Sequence, residues 1–123
     1  MTRIYLVKNF GRWADSEGLT DELLKDTVAE MDEGLIDANL GGSIFKKRIG
    51  INGQGKSSSL RTIVGFKSGD RAFFVYGFPK NQRDNIDTKE KAAFKEMAKE
   101  LFALTDEQLG LAIQSKALRQ LSD

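Results

Sequence analysis

Apolar positions change their period along this chain, and each change marks a new element. Residues 3–8 place Ile4, Tyr5, Leu6 and Val7 in a row, the pattern of a short buried strand. Residues 9–14 predict a short helical turn. Leu19-Thr20-Asp21-Glu22-Leu23-Leu24 predicts a helix start. Thr20 caps it, Asp21 and Glu22 suit its positive end, and Leu19 meets Leu24 as a staple. Leu23, Leu24, Thr27, Val28 and Met31 continue as one apolar stripe, and Gly34 stops it. Residues 35–42 read as a connection, Ile44–Ile49 as a strand, residues 49–59 as a loop and Leu60–Lys67 as another strand. Ser68-Gly69-Asp70 predicts a compact turn and residues 71–78 a strand, so the last two strands form a hairpin with Pro79 just outside it.

Strict alternation in residues 71–78 puts Arg71, Phe73, Val75 and Gly77 on one face and Ala72, Phe74, Tyr76 and Phe78 on the other. In the preceding strand Leu60, Thr62, Val64 and Phe66 separate from Arg61, Ile63, Gly65 and Lys67. Apolar residues on both faces predict a central strand covered on both sides, or one face used for binding. Asp87-Thr88-Lys89-Glu90 has the form of a capping box, with Ala93, Phe94, Met97, Ala98, Leu101 and Phe102 following at helical spacing. Leu104-Thr105-Asp106-Glu107-Gln108-Leu109 gives a second box and staple, and a final helix runs to about Leu118. The order strand, helix, helix, three strands, helix, helix predicts an α+β fold. A mostly antiparallel sheet of about four strands packs with N-terminal and C-terminal helices, in one domain over residues 1–123.

Composition narrows the chemistry. The chain has no Cys, which excludes disulfides and thiolate metal sites, and no His, which removes the usual acid–base of neutral pH. No metal site and no cofactor are expected. No stretch reads as a signal peptide or membrane span, so a cytoplasmic protein is expected. The net charge of +1 hides a division along the chain. Residues 15–37 hold nine acids and one Lys, residues 46–83 hold nine bases and one acid, and the remainder from Asp84 holds eight acids and six bases. A field of one sign concentrates counter-charged ligands. The basic block overlaps a Gly-rich stretch, Asn52-Gly53-Gln54-Gly55-Lys56-Ser57-Ser58-Ser59, which leads to Arg61.

Glycines let a backbone approach an anion, Lys56 supplies a mobile charge, and Arg61 offers a two-pronged grip on phosphate. The stretch does not make a nucleotide-binding P-loop. The first Gly and its four-residue spacing are missing, and a hairpin follows instead of a helix. Its alternative roles are a linker or an RNA-phosphate loop. Lys46, Lys47, Arg48, Lys56, Arg61, Lys80 and Arg83 are the candidate RNA contacts. Tyr76, close to Lys80 and Arg83 in sequence, is a candidate to stack on a base or bond a phosphate, or else an ordinary core Tyr. Asp84 is placed as an ion-pair partner of Arg83 or Arg61.

Several ordered segments carry a resemblance. These are Gly53-Gln54-Gly55-Lys56-Ser57, Arg61-Thr62, residues 69–78 (Gly-Asp-Arg-Ala-Phe-Phe-Val-Tyr-Gly-Phe), residues 80–86 (Lys-Asn-Gln-Arg-Asp-Asn-Ile) and the earlier residues 34–42. Together they resemble the RelE-type toxins of the RelE/HigB branch over nearly the whole chain. The resemblance implies a RelE-like small fold and the toxin of a type II toxin–antitoxin pair. Such toxins cut messenger RNA, commonly in the ribosomal A site. It implies a cognate antitoxin, often of helix-turn-helix type in this branch, with mRNA and the ribosome as further partners and no direct DNA binding. By the family motif Lys56, Arg61, Tyr76 and Lys80 are the catalytic candidates, and Lys80 and Arg83 match basic positions after the last strand. The family commonly carries an acid after Lys-Asn, where this chain has Gln82, and favours glycines where it has Ser58 and Ser59. Glutamine cannot act as a carboxylate base. An RNA- or ribosome-binding module without cleavage, and a pure protein-interaction module, stand as the other readings.

Overall fold

The computed structural model describes residues 2–50, 60–79, 83 and 85–122. Strand β1 (Arg3–Val7) runs directly into helix α1 (Lys8–Ser16), followed by α2 (Asp21–Asp32), β2 (Ala38–Gly41), β3 (Ile44–Ile49) and β4 (Leu60–Lys67). Then come β5 (Arg71–Pro79), α3 (Thr88–Phe102), α4 (Asp106–Gln114) and β6 (Leu118–Gln120). One six-stranded sheet has the order β2-β3-β4-β5-β1-β6. Every pairing is antiparallel except β1 with β5.

The sheet is covered on both faces, as the apolar runs in β4 and β5 predict. Ile4, Leu6, Val64, Phe66, Ala72 and Phe74 face α1 and α2, where they meet Phe10, Ala14, Leu24, Val28 and Met31. Tyr5, Ile44, Ile63, Phe73, Val75 and Phe78 face α3 and α4, against Ala98 and Leu109 with Phe94 and Phe102 beside them. Aromatic rings key the layers together: Phe10 of α1 stacks on Phe74 at 5.1 Å, and Phe102 of α3 meets Phe73 edge-on at 5.2 Å. Burial of each such side chain contributes roughly 1.5–3 kcal/mol.

Local signals behave as their chemistry requires. Thr20 Oγ1 accepts from the Leu23 N–H, and Leu19 and Leu24 share one core. Capping boxes form at Asp87/Glu90 and Thr105/Gln108. Gly34 ends α2 at a φ of +91°.

Five expectations are corrected. The sheet has six strands because each edge carries a short strand, β2 of four residues and β6 of three. Residues 35–42 are therefore not merely a connection. Ala38 and Asn39 pair with Lys46 and Phe45 before Gly41 and Gly42 turn the chain. The last helix stops at Gln114, short of Leu118. Lys116 adopts a left-handed φ of +68°, and the Ala117 N–H returns to the Ala112 carbonyl, so the chain leaves as β6. Alternation in β5 breaks at Val75. Ile63 lies opposite Tyr76 but Val64 lies opposite Phe74, which leaves Val75 as an extra bulged residue. Val75, Tyr76 and Phe78 all join the face of α3, while Gly77 turns to α1. There a Cβ on Gly77 would lie 2.1 Å from a Trp13 ring carbon, so the indole occupies the space a side chain would need. Finally, Pro79 ends β5 within the ladder, opposite Leu60.

Candidate nucleic-acid interface

Register places rows of residues across the sheet at its β3–β4–β5 end. Ile49 lies opposite Leu60, and Leu60 opposite Pro79. In the next row Arg48 faces Arg61, and Arg61 faces Phe78. Two rows further, past Lys47, Thr62 and Gly77, Lys46 faces Ile63, and Ile63 faces Tyr76. Ile63 and Phe78 belong to the core beneath α3, so Lys46, Arg48, Arg61 and Tyr76 share that face. Arg48 is exposed, and Lys46, Arg61 and Tyr76 are half-buried. Like charges directly opposite one another in a ladder repel. An anion between Arg48 and Arg61 reverses the sign of that term.

Tyr76 is held from two sides. Its ring stacks on Phe94 of α3 at 5.3 Å and lies 5.8 Å from Phe78. Its hydroxyl accepts from Arg83 Nη1 at 3.3 Å, so the hydroxyl's own proton points elsewhere and is available to an incoming acceptor. Arg83 is fixed in turn. It forks onto both oxygens of Glu90, donates from Nε to the Asn85 carbonyl at 2.9 Å, and covers the Phe78 ring at 5.5 Å. Four of its five N–H directions are thus occupied. Glu90 also closes the α3 capping box, accepting from the Asp87 N–H at 3.0 Å while Asp87 accepts from the Glu90 N–H at 2.8 Å. The Arg83 guanidinium and then the Asp87 N–H hold the Glu90 carboxyl below the usual carboxylate range. The bond to Glu90 raises the Arg83 guanidinium in turn.

The sequence-predicted residues divide accordingly. Lys46, Arg48, Arg61 and Tyr76 come together. Arg83 touches the group from beneath, as the strut behind Tyr76 rather than an open phosphate hand. Its partner is Glu90, a residue expected only to cap α3. Lys47 is turned away, because consecutive strand residues point to opposite faces. Its side chain is only 8% exposed, and its Nζ pairs with Glu30 of α2 at 2.7 Å. It ties helix to sheet. Once Ile44–Ile49 is read as a strand, alternation alone separates Lys47 from its neighbours. Lys56, Lys80, Gln82 and Asp84 lie outside the described residues.

No group of three or more His, Cys, Asp or Glu side chains able to hold a metal occurs among the described residues. No helix among them is long and apolar enough to cross a membrane. Residues 2–121 match the family model described as the RelE toxin of the RelE / RelB toxin-antitoxin system. No match was found among curated proteins.

Proposed function

We propose that this chain, which belongs to the RelE toxin family, cleaves messenger RNA on the ribosome by making the RNA attack itself. Membership of a RelE/RelB-type system implies a cognate antitoxin as partner. The observation that carries the cleavage reading is the row Arg48–Arg61–Phe78 beside a Tyr76 whose ring and hydroxyl are both fixed.

In the reaction the 2′-OH forms a new bond to the adjacent phosphorus as the P–O5′ bond breaks. A base takes the 2′-OH proton, and the departing 5′ oxygen gains one. The products are a 2′,3′-cyclic phosphate and a 5′-OH. Charge grows on the phosphoryl oxygens in the transition state, and preorganised donors aimed there lower the barrier. Arg61 takes that role, with Arg48 opposite it adding positive field. Tyr76 supplies its free hydroxyl proton to a phosphate or leaving oxygen, or its ring to a base. Lys56 and Lys80 neutralise and orient. Their segments join the sheet through Leu60 and Pro79, which face each other one row from Arg61. With no His, the side chain that most often serves as a base at neutral pH is missing, so free RNA is cut slowly and the ribosome supplies geometry.

A second reading, binding without cleavage, draws on Gln82, which stands where the family commonly has an acid. Mapping cut ends on translated messages with purified ribosomes separates the two. The nuclease reading expects cuts by the wild type and a loss of roughly 10²–10³-fold in rate for Arg61→Ala. An Arg61→Ala protein cutting at the wild-type rate removes Arg61 from the mechanism. A wild type that binds ribosomes but cuts only after Gln82→Glu supports the second reading.

A further inference from the structure

Most arginines and buried lysines here are answered by a carboxylate. Arg3 and Arg71 meet Asp106, Lys47 meets Glu30, Arg83 meets Glu90 and Arg119 meets Asp15. Lys67, Lys95 and Lys99, which are exposed or half-buried, have no ion-pair partner among the described residues, and they differ from the other unpaired lysines in standing together. All three line one groove of about 680 Å³ between α3 and the β2–β3 turn, with Glu96 as the only acid on its wall among the described residues.

Two of the lysines are held in place. Lys67 Nζ sits over the Phe102 ring, 4.6 Å from its centroid. Lys95 lies along Gly41 and Gly42, which take φ values of +85° and +60°. A Cβ on Gly42 would come 2.9 Å from Lys95 Cγ, and one on Gly41 would come 3.2 Å from Lys95 Nζ. The bare backbone of this turn therefore makes the bed in which the lysine lies. Lys99 follows one helical turn after Lys95, about 6 Å along the axis.

The groove opens on the same face of the sheet as Lys46, Arg48 and Arg61. From Ser43 at the groove to Arg48, β3 covers about 17 Å at ~3.4 Å per residue, and Lys46 stands between. Cations spread along such a line fit a chain of phosphates better than a single one. Resting on the RNA-cleaving reading above, we infer that this groove is a second phosphate-binding stretch. It takes the sugar–phosphate backbone of RNA at a distance from the reacting bond.

The test uses the full chain and a short 2′-O-methyl RNA, which binds but lacks the attacking hydroxyl, alongside message-free ribosomes. Affinity is measured against salt for wild type, for the triple variant Lys67→Gln, Lys95→Gln, Lys99→Gln, and for the corresponding triple Arg variant. Each phosphate contact with a single strand contributes about 0.7 to the slope of log affinity on log salt. The Gln variant is expected to lose about 2 from that slope, and at least tenfold in affinity at low salt, while the Arg variant retains both. Loss on the oligonucleotide identifies message as the occupant, and loss on ribosomes alone identifies ribosomal RNA. A Gln variant that matches wild type on both overturns the inference. The nuclease reading fails separately. If wild type cuts translated messages and the Gln variant binds normally, only the groove is wrong. If wild type never cuts but binding depends on the three lysines, only cleavage is wrong.

Discussion

Lys47 and Arg48 are neighbours in β3, yet the two faces of the sheet give them opposite fates. On the α1–α2 face apolar side chains close around Lys47, and Glu30 neutralises it at 2.7 Å. On the α3–α4 face the apolar core ends at Ile63 and Phe78, and there Arg48 and Arg61 share one row, with Lys46 two rows along the same face. At these neighbouring positions of β3, Lys47 is a fastener and Arg48 an exposed positive charge. Arg71 shows that the α3–α4 face fastens cations too, where Asp106 is within reach. Within β3, position on the pleat decides between the two fates.

The sharpest way to break this contrast is to disturb the fastened side. Gly77→Val forces a side chain into the Trp13 ring and is expected to cost about 3 kcal/mol, the upper part of the overpacking range. Urea unfolding measures it, and cleavage per folded molecule should not change. Next is the Lys47–Glu30 pair. Glu30→Ala strands a buried ammonium and should cost about 2 kcal/mol, below the full buried-pair penalty because the Glu30 side chain is 53% exposed. Lys47→Met, which replaces the charge by a similar apolar volume, should stay within about 1 kcal/mol of wild type. If the methionine variant proves the worse of the two, Lys47 is not the fastener described.

Arg48→Ala on the other face should move stability by less than about 0.5 kcal/mol. It should nevertheless lower the salt slope for single-stranded RNA by about 0.7. An unfolding midpoint that falls while the slope stays put would place Arg48 on the structural side of the comparison.

The smallest effect concerns Glu90. Because its carboxyl is depressed in the folded chain, its contribution is present above the ordinary carboxylate value and is lost as pH falls through the lower folded one. Acidification should therefore release Arg83 from Glu90 and loosen Tyr76. NMR shifts of the Tyr76 ring and the Arg83 Nε should move together on that titration and stay flat in Glu90→Gln. Independent movement of the two would separate the strut from the tyrosine.

Strong local chemistry made much of this legible from sequence. Ile44–Ile49 and Leu60–Lys67 lie at the predicted bounds, and Thr20, Asp87 and Thr105 cap as their side chains suggest. The resemblance to RelE-type toxins is borne out by the family match over residues 2–121. The edge strands were not legible. Residues 38–41 and 118–120 are too short to show a period, and they are strands only because a longer strand lies beside them. The bulge at Val75 escaped for a related reason, since a single extra residue leaves no mark in a run apolar on both faces. That one residue decides that Tyr76 and Phe78 join Arg61's face. Of the candidate site, Arg61 and Tyr76 were legible as types, but the strut of Arg83 on Glu90 depends on how the chain enters α3.

Strand β1 sits between β5 and β6, so both of its neighbours are synthesised long after it. Residues 3–6 wait for residues 71–74, and residues 5–7 wait again for residues 118–120. Pairings so distant in sequence must close large loops before any contact rewards them, which slows folding. The ladder that holds Arg61 and Tyr76 in register is therefore completed along β1 only once β6 has emerged. A nascent copy lacks a finished sheet until residues 118–120 are free to pair.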